Sequence, residues 1–209
     1  MSLHDSPSPV SATSGTVPDW RRGLPELTDG VVTLRALRAG DAHALVTHLN
    51  DPEVVRYIAA PPTSVAAMAR FVRWTHAERR RGMLRCYGIV PAGCVTPVGI
   101  VQVWPIERDF STAEWGFALG RAHWGTGVFT RAARLFLDSL FSTAGVHRLE
   151  ARAVDANGRG NRAFERLGAT RDGVLRSGFR DGERYCDQIM WSILAPEWQA
   201  RRQGVRRAN

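Results

Sequence analysis

The chain has 209 residues, 44% of them hydrophobic, and a formal net charge of +8 at pH 7. This length and composition favour one globular domain with a sizeable core, and no apolar run approaches the roughly 20 residues that a membrane-spanning helix needs. All 28 basic residues are arginine. The lack of lysine excludes nucleotide-binding Walker loops and enzymes that hold a substrate or pyridoxal phosphate as a Schiff base.

The two ends of the chain differ in composition from the middle. Residues 1–25 are rich in Ser, Pro, Thr and Gly, and we expect them to be disordered. A basic tail over residues 199–209 carries four arginines and no acid, so it accounts for half of the net charge. We therefore expect one domain over 26–198 and no nucleic-acid binding beyond the electrostatics of this tail; a weak contact with a ribosome or RNA is the alternative.

The side chains that commonly bind metals show no pattern that would form a site. Cys86, Cys94 and Cys186 lack metal-type spacing and leave one thiol over under any disulfide pairing. The histidines show no ligand spacing either, so we expect no metal. Reduced thiols, together with the lack of a basic-then-apolar segment at the N-terminus, predict a cytoplasmic protein.

The apolar periodicity predicts strands and helices that alternate along the chain. In order, we expect a strand over 31–37, helices over 40–50 and 64–81, paired strands over 84–90 and 98–104, a strand over 112–119, a helix after Gly127, a strand over 147–154, a helix over 160–167, and final strands near 170–179 and 184–194. This order predicts an α/β fold, more specifically a mixed α+β sheet flanked by helices.

The most informative segment connects the strand at 113–119 to the helix that follows Gly127. Its turn contains Gly125 and Gly127, which let the backbone close on a ligand without a Cβ in the way. The first amides of a helix have no intrahelical partner and the helix dipole favours negative charge there, so the turn is a candidate phosphate site. It does not match the Gly-x-Gly-x-x-Gly motif of dinucleotide-binding proteins.

The same segment resembles the acetyl-CoA pyrophosphate loop of the GNAT superfamily of N-acetyltransferases, and more narrowly of its RimJ/RimL-type branch. The loop Trp124-Gly125-Thr126-Gly127 follows the strand 114–119, segment 157–169 resembles the branch's Asn-x-x-Ser helix, and 173–176 and 187–194 resemble its two closing strands. The resemblance covers roughly residues 26–198. It implies a central, mostly antiparallel sheet that is splayed at a bulge and flanked by helices.

The resemblance also implies which residues bind acetyl-CoA. They are the strand residues Phe117, Ala118 and Leu119, the loop residues Trp124, Gly125, Thr126, Gly127, Val128, Phe129 and Thr130, and the downstream helix residues Asn157, Asn161, Arg162 and Phe164. Two positions depart from the family pattern. Phe129 stands where the family favours a small residue, and Arg131 stands where this branch often has glutamate.

The implied reaction passes an acetyl group from acetyl-CoA directly to a primary amine, with no covalent enzyme intermediate. Glu114, the one acid on the cofactor strand, is the first candidate for the general base, and Asp187 on a late strand is the second. Gly160 and Phe164 stand where the family has a serine and, in many members, a tyrosine, so no general acid is visible. The CoA thiolate can leave unassisted, because the pKa of a thiol is about 8.5.

The sequence leaves open which amine is the acceptor and whether the domain is catalytic. The primary amine is either a protein N-terminus or a small molecule, and acetylation of an antibiotic or a polyamine is the competing interpretation. A non-catalytic module that binds acyl-CoA is the second alternative, favoured by Gly160 and Phe164. The resemblance further implies that a homodimer through the outer strands is plausible.

Overall fold

A computed structural model describes residues 19–207, with side chains described as far as residue 204. Within this range eight strands form one sheet, in the order β1-β2-β3-β4-β5-β6-β8-β7. The strands are β1 (Leu27–Thr28), β2 (Val32–Ala36), β3 (Arg85–Pro91), β4 (Gly99–Pro105), β5 (Thr112–Leu119), β6 (Arg148–Val154), β7 (Thr170–Asp181) and β8 (Arg184–Leu194). Neighbouring strands are antiparallel except β5 and β6, which are parallel. The predicted mixed, mostly antiparallel sheet is confirmed.

Helices cover both faces of this sheet. They are α1 (Ala42–Leu49), α2 (Pro52–Val55), α3 (Val65–Arg81), α4 (Val128–Thr143), α5 (Gly158–Leu167) and α6 (Ala195–Arg207). Helices α1 and α3 bury Leu45 and Met68 on one face, while α4 and α5 bury Phe136 and Phe164 on the other. Side chains alternate along a strand, so β5 contributes to both of these cores.

The C-terminal segment that was expected to be a tail is helical as far as Arg207, because it continues α6. Trp198 is buried at the start of this helix, and its indole N–H donates to Asp138 on α4 at 2.7 Å. The guanidinium of Arg202 lies 3.2 Å from the same carboxylate. One buried aromatic anchor and one ion pair therefore hold this basic segment against the domain.

The expectation of a disordered N-terminus covers residues 1–25, of which 1–18 lie outside the described residues. The Trp20 ring packs edge-on against Phe110, with their centroids 5.5 Å apart, and its face lies 4.2 Å from the guanidinium carbon of Arg85. Leu24 also packs against the core. From Trp20 onward this segment is therefore part of the folded domain.

The sheet opens between its two parallel strands. β5 pairs with β6 only from Thr112 to Glu114, whereas its pairing with β4 continues to Leu119. β6 meanwhile pairs with β8 along its whole length. The expected splay is present, but the expected bulge is not: the register between β4 and β5 is unbroken, and the gap arises because β5 follows β4 while β6 follows β8.

Candidate active site

The turn between β5 and α4 has the backbone that an anion site requires. Gly125 and Gly127 have φ angles of +76° and +85°, which a residue with a Cβ adopts only under strain. A Cβ built on either would meet no atom within 4 Å, so both residues face open space. Gly127 caps α4 and supplies no side chain, which leaves the first amides of the helix available to a ligand.

Two side-chain hydrogen bonds hold this turn in place. The indole N–H of Trp124 donates to the carbonyl of Leu119 at 2.8 Å, and the hydroxyl of Thr126 donates to the carbonyl of His123 at 2.8 Å. The loop is therefore tied to the end of β5 before any ligand binds.

Arg159 joins the two sides of the gap between the strands. It lies in the first turn of α5, which follows β6, while Trp124 lies in the loop that follows β5. The guanidinium carbon of Arg159 is 3.6 Å from the centroid of the Trp124 ring, a cation–π contact. The contact spans the mouth that the divergence of β5 and β6 creates.

The Phe129 side chain packs against other aromatic rings. Its ring lies 4.1 Å from that of Phe117, which in turn is 5.8 Å from the ring of Phe164. Phe164 is buried, with Trp115 5.6 Å and Trp191 6.2 Å away. The bulky residue that departs from the family pattern is thus part of an aromatic wall.

The second departure, Arg131, has a partner outside the loop. Its guanidinium lies 2.8 Å from the carboxylate of Asp29 in the turn between β1 and β2. The two side chains are partly exposed, so the ion pair contributes little to stability. Arg131 thus forms an ion pair between α4 and the turn at the edge of the sheet.

Gly160, which stands where the family has a serine, takes part in the N-terminal cap of α5. The Asn157 side-chain oxygen accepts from the backbone N–H of Gly160 at 2.9 Å. A Cβ on Gly160 would lie 2.6 Å from Nδ2 of Asn157. Glycine at this position is therefore what allows the asparagine to cap the helix in this rotamer.

The side chain of Asn161 is engaged within the fold. It is buried, its amide donates to the carbonyls of Val154 and Asp155, both at 3.1 Å, and its oxygen accepts from the indole N–H of Trp191 at 2.9 Å. Both amide hydrogens are thus in use. Arg162, one position further along, is exposed.

Glu114 lies on the face of β5 opposite Trp115, at the last residue before the strands diverge. Its carboxylate is 3.5 Å from the Nε of Arg152, and its register partner on β6 is Glu150. Burial raises the pKa of the Glu114 carboxyl above its ordinary value and Glu150 raises it further, whereas Arg152 and the Trp104 indole act in the opposite direction. A carboxyl with a raised pKa is a better proton acceptor near neutral pH.

Asp187 is not close to Glu114. Glu114 aligns through Glu150 with Ser192, and Asp187 lies five residues further along β8, about 16 Å at the rise of an extended strand. Its carboxylate accepts from the backbone N–H of Ser177 at 2.8 Å, inside an irregular part of β7. The two candidate bases therefore occupy different places.

Three side chains around Glu114 were not predicted from the sequence: Trp104, Glu150 and Arg152. The segment 148–152 alternates charged and apolar residues, a pattern that places its charges on one face of a strand. Which strand would lie beside that face depends on a pairing between segments about 35 residues apart. The local pattern gives no information on that pairing.

Within residues 19–207, no group of three or more His, Cys, Asp or Glu side chains is placed to hold a metal ion. In the same part of the chain, no helix combines the length and the apolar character needed to cross a bilayer.

Comparison with known proteins identifies the family. The family model described as an acetyltransferase (GNAT) domain matches residues 32–170. The uncharacterized N-acetyltransferase p20 of Bacillus licheniformis is 27% identical over 168 residues, which cover 80% of this chain and 94% of that protein. The uncharacterized N-acetyltransferase YoaA of Bacillus subtilis is 25% identical over 83% of this chain and 98% of its own length.

Solved structures share the fold. RimJ of Mycobacterium smegmatis, in complex with CoA-disulfide, superposes with a TM-score of 0.74 at 23% identity, over 83% of this chain and 87% of that chain. At this identity the likeness concerns the fold. The family match covers well over half of the sequence, so the chain belongs to the GNAT acetyltransferase family and is an N-acetyltransferase.

Proposed function

We propose that the protein transfers the acetyl group of acetyl-CoA directly to a primary amine, either a protein N-terminus or a small molecule. One observation carries the proposal. β5 loses its parallel neighbour immediately after Glu114, and the free edge of β5 leads into the glycine turn at the start of α4. A carboxylate, an unpaired strand edge and a candidate anion-binding turn thus follow one another along β5 and the loop after it.

Two features of the chain support binding of the pyrophosphate and the pantetheine arm of acetyl-CoA, which supplies the activated acetyl group. The turn from Gly125 to Thr130 offers backbone amides to the pyrophosphate. The edge of β5 from Phe117 to Leu119 offers backbone groups to the pantetheine arm, and the rings of Phe117, Phe129 and Phe164 form an apolar wall beside it. Arg159, whose guanidinium stacks on Trp124, and Arg162, exposed in the same helix, are cations at the start of α5 that can attract the phosphates.

The proposed chemistry requires one carboxylate. The neutral amine nitrogen attacks the thioester carbonyl, a C–N bond forms and the C–S bond breaks. The proton lost by the nitrogen passes to the Glu114 carboxylate, directly or through a water, and the CoA thiolate takes up a proton from solvent. Backbone amides on the free edge of β5 stabilise the oxyanion.

No side chain at the family's acid positions can protonate the sulfur, because Gly160 and Phe164 have no acidic proton. Departure as a thiolate is consistent with a thiol pKa of about 8.5. Asp187 is the second candidate base, although its carboxylate accepts a hydrogen bond from the backbone N–H of Ser177 and the residue lies near the end of β6. Glu114 and Asp187 are therefore alternative candidates for the general base, and one experiment can decide between them.

Release of CoA thiol from acetyl-CoA tests the proposal, with peptide N-termini, aminoglycosides and polyamines as acceptors. We expect Glu114→Gln to lower kcat about a hundredfold, within the range for loss of a general base, and Asp187→Asn to remain close to wild type. Calorimetric titration with CoA checks that both variants still bind it. Equal activity of Glu114→Gln and wild type would make Asp187 the next candidate. Absence of both CoA binding and turnover would overturn the proposal.

A further inference from the structure

A row of alternating charges lies on β6, on the side of the sheet that carries Glu114. Arg148, Glu150 and Arg152 are separated by two residues each, so they share one face of the strand. Glu150 is directly opposite Glu114 in the last pair before the strands diverge. Arg152 lies one step further, where β5 is no longer paired with β6.

Glu150 is held in place on the side away from Glu114. The Nε of Arg148 donates to its carboxylate at 2.7 Å, and the same guanidinium also binds Asp172 on β7. Glu150 is only 16% exposed and has a cation behind it, so it stands beside Glu114 as a fixed carboxylate. Asp172 is itself an ionised partner, because the charge and hydrogen bond of Arg148 help to lower the pKa of that carboxyl against the effect of its burial.

Arg152 approaches Glu114 from the opposite direction. Its Nε is 3.5 Å from Oε1 of Glu114, and 41% of its side chain is exposed. The long distance and the exposure show that the pair is loose, unlike the buried bidentate pair of Arg35 and Asp41 with distances of 2.7 and 2.9 Å. A loose cation lets the carboxylate turn toward a substrate.

We propose that Glu150 and Arg152 are a pair of opposed positioning residues, Glu150 favouring the protonated form of Glu114 and Arg152 favouring the ionised form, so that together they set the pH range of acetyl transfer. The inference rests on the proposed role of Glu114 as base. Coulomb's law gives the two neighbours opposite signs at Glu114. The other groups that face Glu114 are the Trp104 indole from β4 and, behind Glu150, the Arg148–Asp172 pair.

The sign of each substitution follows from this arrangement. Glu150→Gln removes a like charge and keeps an oxygen that can accept from Arg148, so ionisation of Glu114 becomes easier. The acidic limb of kcat/KM then moves to lower pH. Arg152→Gln removes the opposite charge, so the limb moves to higher pH. The double variant Glu150→Gln/Arg152→Gln lies between the two.

Two measurements on the full-length protein keep this inference separate from the proposed function. The first is the titration of the Glu114 carboxyl by 13C NMR without substrate, with the signal assigned by its loss in Glu114→Gln. The second is kcat/KM for acetyl-CoA against pH. At a pH below the acidic limb we expect Glu150→Gln to be about threefold faster than wild type and Arg152→Gln about threefold slower, the size of partly exposed charge pairs. Arg81→Gln, a single charge removed at the exposed end of α3, is the matched control.

Opposite displacements in the NMR titration, with the double variant between them and Arg81→Gln at the wild-type position, establish the electrostatic coupling even without turnover. Matching displacements of the acidic limb of kcat/KM are needed in addition to support the inference about the pH range. Displacements in the same direction, or none, overturn it. If the NMR displacements occur while Glu114→Gln keeps full activity, the electrostatic coupling stands but Glu114 is not the base, and the inference about the pH range is wrong.

Discussion

The two faces of β5 are built from different kinds of contact. On one face, Trp115 and Phe117 lie among the rings of Phe136, Phe129 and Phe164. On the other, Glu114 lies among charged and polar groups, and the next residue on that face is a glycine under the ring of Trp104. One strand thus separates two tasks: its aromatic face supports the cofactor edge by packing, and its other face presents a proton acceptor before Ala118 joins the second core. The part of that face from Glu114 to Gly116 is called the polar face.

This separation predicts that damage to the aromatic face lowers stability, while changes on the polar face affect rate. Aromatic packing is dense and collapses poorly around a cavity, whereas a partly exposed carboxylate contributes little to folding. Substitutions on each face test this difference.

Phe164→Ala is the strongest test of the aromatic face. Its ring is buried and contacts Trp115, Phe117 and Trp191, so we expect the free energy of unfolding to fall by about 3–5 kcal/mol. Gly116→Ala is the control on the polar face. Its Cβ would lie 3.6 Å from Trp104, an ordinary contact, and stability should change by less than about 0.5 kcal/mol. Urea unfolding followed by circular dichroism measures both, and similar losses for the two variants would contradict the separation.

Gly127→Ala tests the candidate anion-binding turn at the end of the strand. With φ at +85°, an alanine costs about 1–2 kcal/mol of folding free energy, and any relief of that strain turns the first amides of α4 away. We expect CoA binding, measured by calorimetry, to weaken about tenfold or more. Gly93→Ala is matched in backbone, because Gly93 has φ of +81° and also faces open space, but it lies between β3 and β4. It should show the same loss of stability with unchanged CoA affinity.

Arg159→Ala tests whether the contact across the mouth assists binding. A cation–π contact at an exposed site contributes about 0.5–1 kcal/mol, so stability should fall little. CoA affinity should fall about threefold, because the arginine is both a cation at the mouth and the partner that orients Trp124. Arg166→Ala, at the exposed end of the same helix, should bind CoA as wild type does. Equal affinities of the two variants would show that the stacked arginine is only a surface contact.

Much of this architecture could be predicted from local sequence, and the exceptions share a cause. The alternation in 113–119 and the glycines at 125 and 127 located the strand, the turn and the start of α4, because each pattern lies within a few adjacent residues. The contact of Arg159 with Trp124 and the pairing of Glu114 with Glu150 join segments about 35 residues apart. Such contacts depend on how the strands associate, which periodicity does not encode.

Two further differences have the same origin. From the sequence, Trp198 is one more apolar residue near a basic end, whereas in the structure it is buried and bonded to α4 at the start of the helix that covers 199–207. Asp187 is acidic and lies on a late strand, which makes it a reasonable candidate for a base. Its contact with the Ser177 amide follows from an irregularity in β7 that no local signal marks.

The smallest effect concerns His48, through which α1 contacts the end of β5 on the side of the sheet that carries Glu114. A Cβ at Gly120 would lie 2.8 Å from its ring, and the ring of His123 is 5.6 Å away. Burial lowers the pKa of the His48 imidazole below the ordinary 6.5, and the nearby His123 lowers it further. Between the lowered pKa and 6.5, the unfolded chain therefore binds more protons than the folded protein. The stability that the neutral His48 allows is fully present above pH 6.5 and is lost as the pH falls through that window.

Replacing the imidazole removes this dependence. Between pH 7.5 and 5.5, the free energy of unfolding should decline less for His48→Gln than for wild type, by a modest amount because the ring is only partly buried and its charge is screened by solvent. His43→Gln, an exposed position on the same helix, should follow the wild-type curve. Urea unfolding at several pH values makes the comparison. If the free energies of unfolding of His48→Gln and wild type decline in parallel, charging His48 does not destabilise the folded protein. The contact between α1 and the end of β5 would then tolerate a positive charge.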